Sequence, residues 1–162
     1  MFVYSFISLY DVRVATKPSS AYPSPLLESL ADFRFELRKF LHFSEEAAIT
    51  AGLQPQQHQL LLQVAGAREG TPVTIAYAAK RLTLRHNSVV QLVNRSVREG
   101  FLLRAPDVGD QRRVLLQITP KGKKALKKLS IDHARELNIL GPRLTLDLQR
   151  ISAYADSNAG DR

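Results

Sequence analysis

The 162-residue sequence predicts a mainly α-helical fold that carries one small β-hairpin. Three observations predict it. Apolar residues recur at helical spacing over residues 26–41 and 55–65. Two short helical segments flank a tight turn at residues 83–85. A β-branched, alternating segment follows a turn rich in Asp and Gly.

The elements follow in chain order. Residues 11–25 are rich in Pro, Ser and Ala without periodicity and read as a leader, either mobile or, with the apolar residues 1–10, an arm of a dimer. Leu26, Leu27, Leu30, Phe33, Leu37, Phe40 and Leu41 then form one stripe of a long amphipathic helix, with Arg34, Arg38 and Lys39 off the stripe. Gly52 ends the stretch that follows, and Pro55 restarts a helix through Leu60, Leu61, Leu62, Val64 and Ala65. Thr74 caps a short helix carrying Ile75, Ala78, Ala79 and Leu82, and a second begins near His86 and ends at Gly100. Residues 101–105 and 113–118 form the hairpin around the 106–111 turn. Thr119 and Pro120 open a lysine-rich helix to about Leu140, where Gly141 and Pro142 are expected to break it before a last helix with Leu144, Leu148 and Ile151.

Composition narrows the function. The net charge is +8, and residues 80–128 hold thirteen Lys or Arg against three Asp or Glu, a net of +10, leaving −2 for the rest. Charge concentrated in this way favours a polyanionic partner, double-stranded DNA ahead of a membrane surface. The absence of cysteine removes disulfide scaffolds, thiol nucleophiles and cysteine-based zinc sites. No signal peptide or membrane span is read, so a cytoplasmic location is expected. The four histidines share no ligand or catalytic spacing, and neither enzyme activity nor a metal or cofactor is expected.

The pair of short helices fits a helix-turn-helix, whose second helix enters the major groove. Val89, Leu92, Val93 and Val97 supply its buried stripe, leaving His86, Asn87, Ser88, Gln91, Arg95 and Arg98 exposed, with Arg85 at its start. Asn and Gln pair bidentately with adenine, and Arg with guanine or phosphate. At the hairpin tip Asp107 and Asp110 stand beside Arg112 and Arg113, and a carboxylate can hold an arginine extended toward a narrow minor groove.

Residues 52–57, 82–93, Arg95, the Gly100, Phe101 and Leu102 run, the 107–113 tip and the Ile118, Thr119 and Gly122 start of the next helix resemble the MarR-type winged-helix transcriptional regulators. The resemblance covers about residues 26–155. It implies one winged helix-turn-helix domain with dimerisation helices at 26–50 and 120–155, followed by a flexible tail at 156–162. It also implies a homodimer on a pseudo-palindromic operator, with repression the expected effect. Asn87, Ser88 and Gln91 then fall at base-contact positions, and Asp110 with Arg112 on the wing pair. A small aromatic or anionic effector would sit between the dimer helices and the reading unit, with His58, Arg38 and His42 as its candidate contacts; His58 is equally a core or helix-surface histidine. The competing reading is an architectural DNA coater or a protein-interaction module that uses lysines 121, 123, 124, 127 and 128 nonspecifically. Three positions depart from the family pattern: Gln91 replaces a frequent arginine, Ser96 a leucine and Ala78 a larger residue.

Overall fold

In the computed structural model, residues 24–110 and 112–157 are described. Expectations for residues 1–23 and 158–162 lie outside them. Helix α1 spans Ser24–Thr50, α2 Pro55–Ala65, α3 Ile75–Leu82 and α4 His86–Arg98. Strands β1, Leu102–Pro106, and β2, Val114–Ile118, follow, and α5 spans Pro120–Ser157.

Local chemistry sets most boundaries. Pro55 opens α2, where its missing N–H costs nothing, and the Gln57 side chain accepts the Gln54 backbone N–H at 3.0 Å. Thr74 caps α3 by accepting the Tyr77 N–H at 3.2 Å. Gly100 closes α4 at φ +75°, a conformation that strains side chains with a Cβ. β1 and β2 pair antiparallel from Leu102 opposite Ile118 to Pro106 opposite Val114. Leu116 also donates its N–H to the Val73 carbonyl at 2.7 Å, tying the hairpin to the segment that leads into α3.

Thr119 joins hairpin and helix. Its hydroxyl reaches the carbonyl of Gly100 at 2.7 Å and accepts the Gly122 N–H at 3.1 Å. Gly122 is where α5 presses on the hairpin: a Cβ there would lie 2.5 Å from the Phe101 carbonyl oxygen and 2.7 Å from Ile118 Cγ1.

One continuous core joins α2 to the winged unit. Leu53, Leu60, Leu61, Ala78, Val89, Val93, Phe101, Leu102, Leu116, Leu126 and Leu129 are all buried in it. Ser96, where the resemblance implies leucine, is fully buried and donates its hydroxyl to the Leu92 carbonyl at 2.9 Å, so no polar group is left unpaired there.

One expectation needs correction. Gly141 and Pro142 do not break the last helix: α5 runs 38 residues with Pro142 inside it. An interior proline loses one backbone hydrogen bond and crowds the preceding turn. Packing on α1 carries the helix through, with Leu140 and Asp147 buried on either side of the proline and Arg143 paired to Glu36 of α1 at 3.3 Å. The stripe of α1 is partly buried: Leu26, Phe33 and Phe40 are half-buried. Leu27, Leu30, Leu37 and Leu41 are exposed, while Ser29, Glu36, Ser44 and Ala48 are buried. Small and paired polar side chains let α1 and α5 pack together, and the leucines face outward.

Candidate nucleic-acid interface

The recognition helix divides as its periodicity predicts. Val89, Leu92, Val93 and Ser96 are buried, Val97 is half-buried, and His86, Asn87, Ser88, Gln91, Arg95 and Arg98 are exposed, as is Arg85 at the N-cap. Two apolar positions per turn fix the helix on the core, so the polar set projects from it as a rigid row. The helix begins after Thr83, a non-glycine residue at φ +55°, whose N–H is held by the carbonyls of Ala79 and Lys80. A β-branched residue is strained there, and the turn holds the angle between α3 and α4 against that strain.

The hairpin tip is built from its own carboxylates. Asp107 Oδ1 accepts the Gly109 N–H at 2.9 Å, and Asp110 Oδ1 accepts the Arg112 N–H at 3.0 Å. The arginine that the aspartates hold by its side chain is Arg113, whose Nε lies 3.0 Å from Asp107 and 3.3 Å from Asp110. Arg113 thus braces the loop. Arg112 is exposed, and its guanidinium has no ion pair among the described residues, which makes it the cation available to a polyanion. Both aspartates stiffen the tip from which it projects.

Sequence reasoning missed Arg104. From β1 it donates to Asn94 Oδ1 on α4 at 2.7 Å, a direct strut between hairpin and recognition helix. Its only signal in the sequence was a single charge inside the apolar run that forms β1. The structure also explains one lysine at the start of α5, where a cation opposes the helix dipole. Lys121 donates to the Glu99 carbonyl at 2.7 Å and sits 4.5 Å from the Phe101 ring centroid, so it caps the C-terminal end of α4. Lysines 123, 124, 127 and 128 are exposed.

The candidate effector residues are placed apart in character. Arg38 and His42 are exposed on α1, whereas His58 is buried, 3% exposed. Its ring meets His133 of α5, centroids 4.8 Å apart. Leu129 O lies 2.7 Å from His133 Nδ1 and Ser44 Oγ 2.8 Å from Nε2. A carbonyl only accepts, so the neutral ring carries its proton on Nδ1 and Nε2 accepts from the serine hydroxyl. Burial pushes the His58 imidazole down to about 4, and its neighbour His133 adds to that effect. The adjacent Gln57 donates to Glu99 Oε2 at 2.7 Å, just past the end of α4.

On α1 a further buried charge, Glu36, accepts from Lys39 at 3.0 Å and from Arg143 at 3.3 Å. The Lys39 hydrogen bond chiefly holds its carboxyl below the ordinary range. Among the described residues no group of three or more His, Cys, Asp or Glu could hold a metal, and no helix is long and apolar enough to cross a membrane.

Comparison with known proteins agrees with this geometry. The family model described as the MarR family matches residues 51–113. No curated protein matches the chain. Among solved structures, AbsC, a MarR family transcriptional regulator from Streptomyces coelicolor, superposes with a TM-score of 0.65 at 14% identity, over 88% of this chain and 97% of its own. The S. aureus MepR–DNA complex gives 0.62 at 16% identity, over 87% and 99%. A MarR family protein from Bacillus stearothermophilus gives 0.59 at 22% identity, over 70% and 76%. Residues 51–113 therefore match the MarR family model, and the chain shares the fold of solved MarR family structures.

Proposed function

We propose that this chain is a DNA-binding transcription regulator that lays α4 in the major groove of duplex DNA and its hairpin tip over the neighbouring minor groove. The observation that carries the reading is the division of α4: one face is locked into the core while Asn87, Ser88, Gln91 and Arg95 stand exposed beside a braced tip that presents Arg112. The net +10 of residues 80–128 supplies attraction to phosphate. A solved relative in fold, MepR of S. aureus, is crystallised with DNA.

The active species is a homodimer. α1 exposes Leu27, Leu30, Phe35, Leu37 and Leu41, and α5 exposes Leu137, Ile139, Leu146 and Leu148, an apolar area that a second copy of the same two helices would cover. Two α4 helices related by a two-fold axis read a palindrome, and a dimer seated on a promoter excludes polymerase, so repression is the expected sign. A small effector between scaffold and reading unit would act by changing the spacing of the two α4 helices.

Selection of bound duplexes from a random pool at near-physiological salt tests this. The expected outcome is an enriched palindrome with half-sites about one helical turn apart. On that site Arg112→Ala weakens binding to all duplexes and lowers the salt slope by about 1, whereas Gln91→Ala relaxes base preference, at a cost of about 1–3 kcal/mol on the selected site. Tight, salt-sensitive binding without enrichment would instead favour the architectural coater.

A further inference from the structure

Among the described residues one buried side-chain polar atom lacks any hydrogen-bond partner, Nδ1 of His58. It lies where α2, the first helix of the reading unit, rests on the scaffold of α1 and α5. From α5 the facing titratable group is His133. From α1 come Phe40 and Phe43, edge-on to the His133 ring at 5.7 and 5.4 Å, and the Ser44 hydroxyl. Among the described residues His133 is the titratable group that acts on His58. A proton taken up by His58 therefore places a charge at a buried Nδ1 that has no acceptor, beside a second imidazole whose Nδ1–H is already committed to Leu129.

We propose that buried His58, where it meets His133, is an acid-sensitive latch that docks the reading unit on the α1–α5 scaffold while its ring is neutral and opens when that ring takes up a proton from solvent. The route to the DNA-binding face is short. Gln57, next to His58, holds Glu99 beyond the end of α4, and Lys121 holds the carbonyl of the same residue from α5. Freeing α2 loosens both the seat and the angle of the recognition helix. That consequence rests on the DNA reading above; the latch itself does not.

The size of the response follows from proton linkage. Docked, the His58 ring binds a proton only near pH 4. Undocked, it does so at the ordinary value of about 6.5. Each pH unit between these values shifts the balance toward the open form by up to about tenfold, and a change from pH 7.5 to 5.0 shifts it roughly 30-fold.

Hydrogen exchange of the free protein, corrected for the intrinsic pH dependence of amide exchange, tests the latch without DNA. The expected result is a loss of protection in residues 53–66 of roughly 30-fold between pH 7.5 and 5.0, ahead of any loss in the hairpin, and its disappearance in His58→Leu. His58→Phe, which keeps an aromatic ring on α2 but cannot take up a proton, serves as the second variant if His58→Leu does not fold. In a parallel titration against the selected duplex, the wild type loses affinity in acid relative to the same variant, a comparison in which any effect of His86 cancels. Equal acid responses in wild type and variants, or unchanged protection of α2 down to pH 5.0, would overturn the latch. Acid-dependent exchange in a protein that binds no duplex at any pH would uphold it and remove the DNA reading instead.

Discussion

The winged unit from α2 to β2 and the scaffold of α1 and α5 are built from the same apolar residue types and solve opposite problems. In the winged unit, Leu60, Leu61, Val89, Val93 and Leu102 are within 2% of complete burial, and the buried polar side chains are uncharged ones, Gln57, His58 and Ser96. In the scaffold, Phe35 is 60% and Ile139 68% exposed, while Glu36 and Asp147 are buried. The first region completes its core within one chain. The second buries Leu126, Leu129 and Leu140 together with small residues and paired charges, and leaves a further set of apolar residues for another surface. Burial tells folding apart from association here: apolar residues inside the winged unit hold the fold, and those on the scaffold are free to hold a partner.

The sharpest way to break this contrast is a pair of truncations. Leu61→Ala should cost about 2–5 kcal/mol in urea unfolding, because a fully buried side chain is lost and a cavity remains. Ile139→Ala should change protomer stability by no more than about 0.5 kcal/mol, yet weaken self-association in sedimentation equilibrium. Similar losses of protomer stability from both would erase the distinction.

Next in size is Gly122→Ala, expected to cost about 1–3 kcal/mol, since the new methyl meets the Phe101 carbonyl at 2.5 Å and backbone must move. A thermal midpoint unchanged from wild type would mean that hairpin and helix are not pressed together as described.

At the junction of the two regions His58 adds a pH dependence of known sign. Its docked value is depressed to about 4, so the unfolded chain binds the proton more readily. Its contribution is present in full above about pH 6.5 and is lost as pH falls toward 4, by up to about 1 kcal/mol per pH unit. His58→Leu should flatten that part of the stability profile, and an unaltered slope would show that the proton uptake lies elsewhere.

The smallest effect is a gain. Thr83→Gly relieves a β-branched residue at φ +55° and should stabilise the winged unit by about 0.5–1 kcal/mol. If it loosens the helix pair instead, duplex affinity falls while the thermal midpoint rises, which would locate the strain in function rather than folding.

By itself the sequence determined the local elements. Thr74, Pro55, Gly100 and Thr119 set helix ends through short-range hydrogen bonds and backbone limits, and the 3.6-residue period of α4 separated its buried side from its exposed one. Arg112 and Gln91 were legible as candidates because charge and hydrogen-bonding capacity belong to the residue type. Tertiary structure decided what depends on distant neighbours. It carried α5 through Pro142, because α1 grips both sides of the proline. It turned the leucines of α1 outward, because periodicity finds an apolar face without saying what covers it. It gave the aspartate clamp to Arg113 rather than Arg112, and it joined His58 to a histidine 75 positions away on another helix. Apart from the clamp, which is local to residues 107–113 and set by the fold of the turn, those outcomes are contacts between segments remote in the chain, and no local pattern of residues encodes them.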